Sequence, residues 1–364
     1  MTKIPFDIDK LKEASRLLIE VELQPVQGDR FQPTGFPDLG AAIYERPDGT
    51  RMILVESSQS VANRLEQTCL DGSGPGIAQD LDGLPYIMAQ LEGAVKTETS
   101  SLVEAHRINS PFIITNKEFK ETFKKKAGYE KGKPLNWKNI AEAFFYYDPN
   151  SLLHGVFMVN FEDGRIKVQR ALSGFIEAEG VREAVSGGVK NNPLDPTGRL
   201  RVSDYNENVY GNVPYHRMEF TADRIVAYFN FDLALFEGYG LKQEAKELLV
   251  ALGLYKIRRF LGSGLRLRTA CDLTQKVSKD SQDSEDGQDG IRVTAPKGFT
   301  VPDEKSLLEF IQEKIKACTE KKLFADPSVT VLKANVVWTE DKETKTSATS
   351  GPGEDEGTKE EETK

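Results

Sequence analysis

The run YKIRRFLGSGLRLRTACDL places Arg258, Arg259, Arg266 and Arg268 around Gly262-Ser263-Gly264, with no carboxylate among the arginines. Guanidinium groups offer forked donors that match phosphate oxygens, and glycine lets a backbone approach a phosphate closely. The same residues also suit a helix end, where arginines offset the negative dipole terminus and Gly262 supplies the left-handed residue after the last turn. Both readings stand open. A second candidate is the loop GDRFQPTGF, in which Arg30, Phe31 and Gln32 combine a cation, an aromatic ring and an amide on a Gly- and Pro-rich backbone. That mixture suits stacking on unpaired bases, although an aromatic in such a loop more commonly tucks into the core. Asn63 and Arg64 follow a Ser-Gln-Ser turn, where a helix N-terminus can hold phosphate, or they form an ordinary polar helix face.

Catalytic chemistry finds little support. His106, in LVEAHRINSPF beside Glu104 and Arg107, is the one histidine with a conceivable general-base role; contact with RNA or a structural role suits His106 and Arg107 better. There is no HExxH or CxxC spacing, no phosphate-binding or dinucleotide loop and no paired-carboxylate motif, so no catalytic residue, metal or cofactor is expected. Cys69, Cys271 and Cys318 lie far apart, as in a chain kept in a reducing cytoplasm. Lys124-Lys125-Lys126 reads as a solvated helix face.

The elements that must position these residues follow from periodicity. RLLIEVEL (16–23) and DRIVAYFNFDL (223–233) alternate apolar and polar residues as strands. Residues 52–55 form a short strand leading into a helix over 56–70, capped by Ser57 or Ser58. Residues 152–161 and 165–172 are expected to pair as a hairpin around Glu162-Asp163-Gly164. The strongest helix spans 241–261, with Leu241, Ala245, Leu248, Leu249, Leu252 and Tyr255 on its buried stripe. A strand at 291–294, a helix at 304–318 and a strand at 330–338 close the chain. This order fits an α+β fold with an RRM- or ferredoxin-like sheet and large insertions. Residues 1–278 would form its body, with a helical insertion at about 71–150 and a long, turn-rich arm at 186–214. Residues 279–290 would be an acidic linker, 291–338 would complete the sheet as strand, helix and strand, and 339–364 would be an acidic tail.

The chain has 364 residues, 38% of them hydrophobic, and a net charge of −9. Residues 340–364 account for −5 of that charge and residues 279–290 for −4, so the remainder is neutral. Both acidic stretches lack the apolar residues that would repay ordering, and they are expected to stay unfolded. A neutral body with local basic clusters still binds phosphate through its local field. No apolar run approaches the roughly 20 residues needed to span a bilayer, and the charged N-terminus is not a secretory signal.

Five segments, LLIEVELQPVQGDRFQPTGFPDLGAAIY, MILVESSQSVANRLE, LVEAHRINSPF, YFNFDLALFEGYGL and LLVALGLYKIRRFLGSGLRLRTACDL, together resemble the backbone subunit of the type I-G (formerly I-U) CRISPR surveillance complex, a branch of the RAMP superfamily. The resemblance runs from about Leu17 to Leu273, and it implies an RRM-derived palm with helical insertions and a protruding thumb, for which the arm at 186–214 is the candidate. It implies a cytoplasmic, non-catalytic protein whose copies line up along one CRISPR RNA, with partners in target DNA through guide pairing and in other subunits of the complex. It implies no cofactor. An RNA endonuclease of the same superfamily, using His106, is the alternative.

Overall fold

The structure is a computed structural model and describes residues 6–36, 39–72, 74–202, 207–208, 211–276 and 290–338. The acidic linker lies almost wholly outside the described residues, and so does the tail from 339 on. In chain order the principal elements are β1 (Arg16–Pro25), β2 (Arg51–Glu56), α1 (Ser58–Gln67), β3 (Tyr86–Gly93), α2 (Lys117–Lys126), α3 (Trp137–Tyr147) and α4 (Asn150–His154). Then come β4 (Leu172–Glu179), β5 (Arg182–Lys190), β6 (Val213–Thr221), β7 (Arg224–Asp232) and α5 (Gln243–Gly262). The chain continues through β8 (Leu265–Arg268), β9 (Cys271–Gln275), β10 (Ile291–Ala295), α6 (Glu304–Glu320) and β11 (Val329–Val336).

The central antiparallel sheet runs β8–β9–β1–β7–β4–β2, and β10 also pairs with β1. Within it, β9–β1–β7–β4 has the 4-1-3-2 order of a ferredoxin-like sheet, so the α+β palm expected from the sequence is what forms. Alternation decides the faces. Leu17, Ile19, Val21 and Leu23 are buried with Phe229 and Phe231 beneath α1 and α5. Gly253 lets α5 approach closely, since a Cβ there would sit 2.5 Å from the Phe231 ring. Ser57 caps α1 by accepting the Ser60 N–H at 3.3 Å.

The insertion adds an aromatic cluster to the one contiguous core, in which Phe123 meets Phe144 at 5.2 Å and Phe161, just beyond the insertion, at 5.5 Å. Lys124 pairs with Glu162, and Lys126 lies 3.6 Å from the Tyr146 ring centre. Two expectations need correction. Only Val156–Phe157 pairs with Lys167–Val168, because the apolar run before them is spent on α4, where Leu152 and Leu153 are buried. Residues 291–338 also divide: β10 joins the palm, whereas β11 pairs in parallel with β3 in a separate sheet. No helix among the described residues is long and apolar enough to cross a membrane.

Candidate nucleic-acid interface

The glycines of the arginine cluster sit at the end of α5. The Ser263 N–H donates to the Arg259 carbonyl at 2.9 Å, and Gly264, at φ +81°, takes the left-handed conformation expected of Gly262. A Cβ at either Gly262 or Gly264 would meet nothing within 4 Å. Gly264 is therefore required by its backbone angle. Gly262 is required by neither angle nor packing, although a helical glycine costs about 1 kcal/mol relative to alanine. It leaves bare backbone beside a cleft of about 240 Å³ lined by Arg64, Gln67, Thr68, Arg259 and Ser263.

The arginines divide sharply. Arg258 donates to the carbonyls of Val301 and Pro302 and is structural. Arg268 donates to the Gln32 and Val55 carbonyls at 2.8 and 3.1 Å and to the Glu56 carboxylate. Arg64 binds the same carboxylate at 3.1 Å and the Leu267 carbonyl at 2.6 Å. Glu56 is only 1% exposed, so these two arginines are its counter-ions and tie α1, β2 and β8 together. Arg259 keeps its outer surface, with the Tyr255 hydroxyl at 3.0 Å and Glu304 at 3.5 Å. Arg266 is exposed and forms no ion pair among the described residues.

Other expected contacts fall elsewhere. Phe31 is fully buried, and it exchanges backbone hydrogen bonds with Phe220 at 2.9 Å in both directions. It is core, not a stacking platform. Gln32 is half-buried and spends its backbone on Ala270 and Arg268. Arg107 is buried, with a bidentate pair to Glu66 at 2.6 and 2.8 Å and a bond to the Gly155 carbonyl; it locks the insertion to α1 and is corrected to a structural role. His106 and Asn63 are exposed, and neither lines the cleft.

The residues missed from sequence lie on the ribbon formed by β5 and β6. Its register sets Val185 opposite Met218 and Val189 opposite Pro214 on one face, and Ser186 opposite Arg217 and Gly188 opposite Tyr215 on the other. The Tyr215 ring folds across the ribbon, so that a Cβ at Gly188 would lie 2.9 Å from its hydroxyl. Where the ribbon leaves the palm, Tyr215, His216, Arg217, Gln32 and Arg268 line a groove of about 630 Å³, and no carboxylate stands among the described residues of its wall. Arg30 lies outside it, across β6, paired with Glu219 at 3.2 Å. The sequence carries little signal for them, since VPYHRMEFT has no regular apolar alternation and most of the strand is exposed.

The palm's open face is a poor phosphate surface. Phe175 and Tyr228 stack there at 5.2 Å, but Glu20, Glu22, Glu177 and Glu179 lie on the strands around them. Glu20, Glu22 and Glu179 are knitted to Arg224, and Glu179 also to Arg46.

Residues 17–183, a little under half of the chain, match the family described as CRISPR-associated protein GSU0053. The resemblance read from the sequence thus has a family-level counterpart. No curated protein matches. Among solved structures, the chain is similar to a chain of a CRISPR RNA-guided surveillance complex in a pre-nicking state, with 14% identity, TM-score 0.38 and coverage of 71% of this chain and 74% of that one. A second CRISPR RNA-guided surveillance complex gives 14% identity, TM-score 0.32 and coverage of 84% and 83%. Csc2 from Thermofilum pendens gives 10% identity, TM-score 0.28 and coverage of 88% and 80%.

Proposed function

We propose, from the CRISPR-associated family signature in residues 17–183, that this chain is the guide-RNA-binding backbone subunit of a type I-G surveillance complex. It acts without catalysis in the cytoplasm. Copies assemble along one CRISPR RNA, hold its backbone and leave its bases to pair with target DNA, so that sequence is read by pairing and not by protein. The observation that carries this reading is the groove at the ribbon root, with Arg217 and His216 in its wall and no carboxylate among the described residues that line it. The bare Gly262–Gly264 backbone, the half-buried Arg259 and the exposed Arg266 add a second phosphate surface at the end of α5. Self-assembly is supported by the exposed apolar face of the ribbon, where Val185 is 68% exposed.

The test is to purify the protein from cells carrying a CRISPR array and to recover any bound RNA. Intact RNA of guide length supports the reading, and cleaved RNA supports the endonuclease alternative. Absence of RNA, with no salt-dependent binding of added guide, sinks both.

A further inference from the structure

Glu219 lies at the root of the ribbon and is 7% exposed. Its two carboxylate oxygens are served unequally. Oε2 accepts from Arg30 Nη1 and from the Ser186 hydroxyl, each at 3.2 Å. Oε1 faces Arg217 Nη1 at 3.9 Å, beyond the roughly 3.2 Å reach of a hydrogen bond. Arg217 lines the groove, in which no described residue of the wall is a carboxylate, and it also lines a neighbouring hollow of about 540 Å³ together with Arg30, Asp29, Asp272 and Glu219. A phosphate in the groove would therefore meet Arg217 without Arg30, in a wall whose described residues carry no acid, whereas in the hollow it would meet both arginines beside three acids.

A buried carboxylate stripped of its counter-ion is costly, so Glu219 holds whichever arginine is available. Arg30 and Ser186 meet that need from one side and leave Arg217 in loose contact. We propose that Arg30 serves the guide groove indirectly: with Ser186 it neutralises Glu219, so that Arg217 is free to bind a backbone phosphate. Arg217 is then the contact, and Arg30 and Glu219 are positioning residues. The inference rests on the RNA-binding reading above and deepens it.

The test is a double-mutant cycle in the full-length protein, titrated with a fluorescent single-stranded guide RNA at several salt concentrations. Thermal midpoints confirm that each variant is folded. Arg217→Ala loses one charge-assisted contact, with an expected tenfold weakening or so and a salt slope shallower by about 0.7. Arg30→Ala weakens binding to a similar extent, because Glu219 then captures Arg217. Glu219→Gln in the Arg30→Ala background restores affinity to within about twofold of wild type, and alone it changes affinity by no more than about twofold, since coupling of this kind is confined to residues in contact. Equal effects of Glu219→Gln in both backgrounds would reveal general electrostatics and overturn the inference. So would failure of Glu219→Gln to rescue Arg30→Ala, which would make Arg30 itself an RNA contact. If the wild type binds no RNA at any salt, the functional reading falls, and this inference with it.

Discussion

At the scale of single residues, the sequence located the arginines but not their partners. Arg64 and Arg268 look as available as Arg266 in the linear chain. They are consumed by Glu56, which the fold delivers from 212 residues before Arg268. Phe31 illustrates the same limit: its burial is decided by Phe220, nearly 190 positions away. Two variants separate the roles. Arg268→Ala leaves a buried carboxylate with Arg64 as its one arginine and should destabilise the fold by about 2–3 kcal/mol, read from the denaturant midpoint. Arg266→Ala should stay within about 0.5 kcal/mol of wild type and weaken RNA binding irrespective of base sequence. Titration offers a third test. His154 and Asn150, both on α4, accept the ammonium of the fully buried Lys256 at 2.8 and 2.6 Å. Burial, aided by Lys256, holds the His154 imidazole well below its usual range. A group depressed in the fold contributes stability above its unfolded value, here about 6.5, and loses it as pH falls further. Buried Asp148 has the opposite sign: burial pushes it up to about 6, so its contribution is full below about 4 and lost as pH rises through about 6. His154→Gln removes one of these and leaves the other. Its stability relative to wild type should improve by about 1 kcal/mol between pH 6.5 and 5.5. A difference that does not change with pH would show that the imidazole is not held neutral.

At the scale of elements, legibility followed amphipathicity. β1 and β7 bury one face against α1 and α5 and leave the other to solvent, so their period-two pattern survives in the sequence. The stretch LLHGVFMVNF is mostly apolar without a clear period, and such a run does not distinguish a strand from a buried helix. Half of it became α4 and a buried turn. β3 was read as insertion because its partner, β11, lies some 240 residues later in the chain. The ribbon failed for the opposite reason. Most of its residues are exposed on both faces, so there is little burial pattern to read. That exposure makes a prediction. A two-stranded ribbon adds little stability of its own, and Val185 and Met218 stand directly opposite one another. Replacing Ser186–Arg217 with an Asn-Gly turn joins them with hairpin geometry. The palm should remain folded, with a melting temperature within about 4 °C of wild type, while regular assembly on guide RNA is lost in sedimentation or microscopy. An unfolded product would make the ribbon part of the core.

At the scale of the whole molecule, the charge is segregated by position. The body is neutral, and the entire −9 resides in residues 279–290 and 340–364. A polyanion approaching the protein therefore meets local fields set by Arg217 at the ribbon groove and by Arg259 and Arg266 at the end of α5, against a weak repulsion from the acidic linker and tail. Exposed charges are screened beyond roughly 8 Å at physiological salt, so that repulsion matters chiefly when ions are scarce. Phosphate contacts behave otherwise. Each releases condensed counter-ions and contributes its own salt dependence wherever the contact forms. The two effects can be told apart by deleting everything after Trp338, which removes −5 of charge and none of the described residues. The melting temperature should stay where it is, because β11 ends at Val336 and keeps its whole register with β3. RNA binding should tighten at low salt, and the gain should shrink to nothing as salt approaches physiological strength. An inert tail predicts no change in affinity at any salt. A gain that persists at high salt would mean that the tail occupies the groove directly, and a drop in melting temperature would place it within the fold.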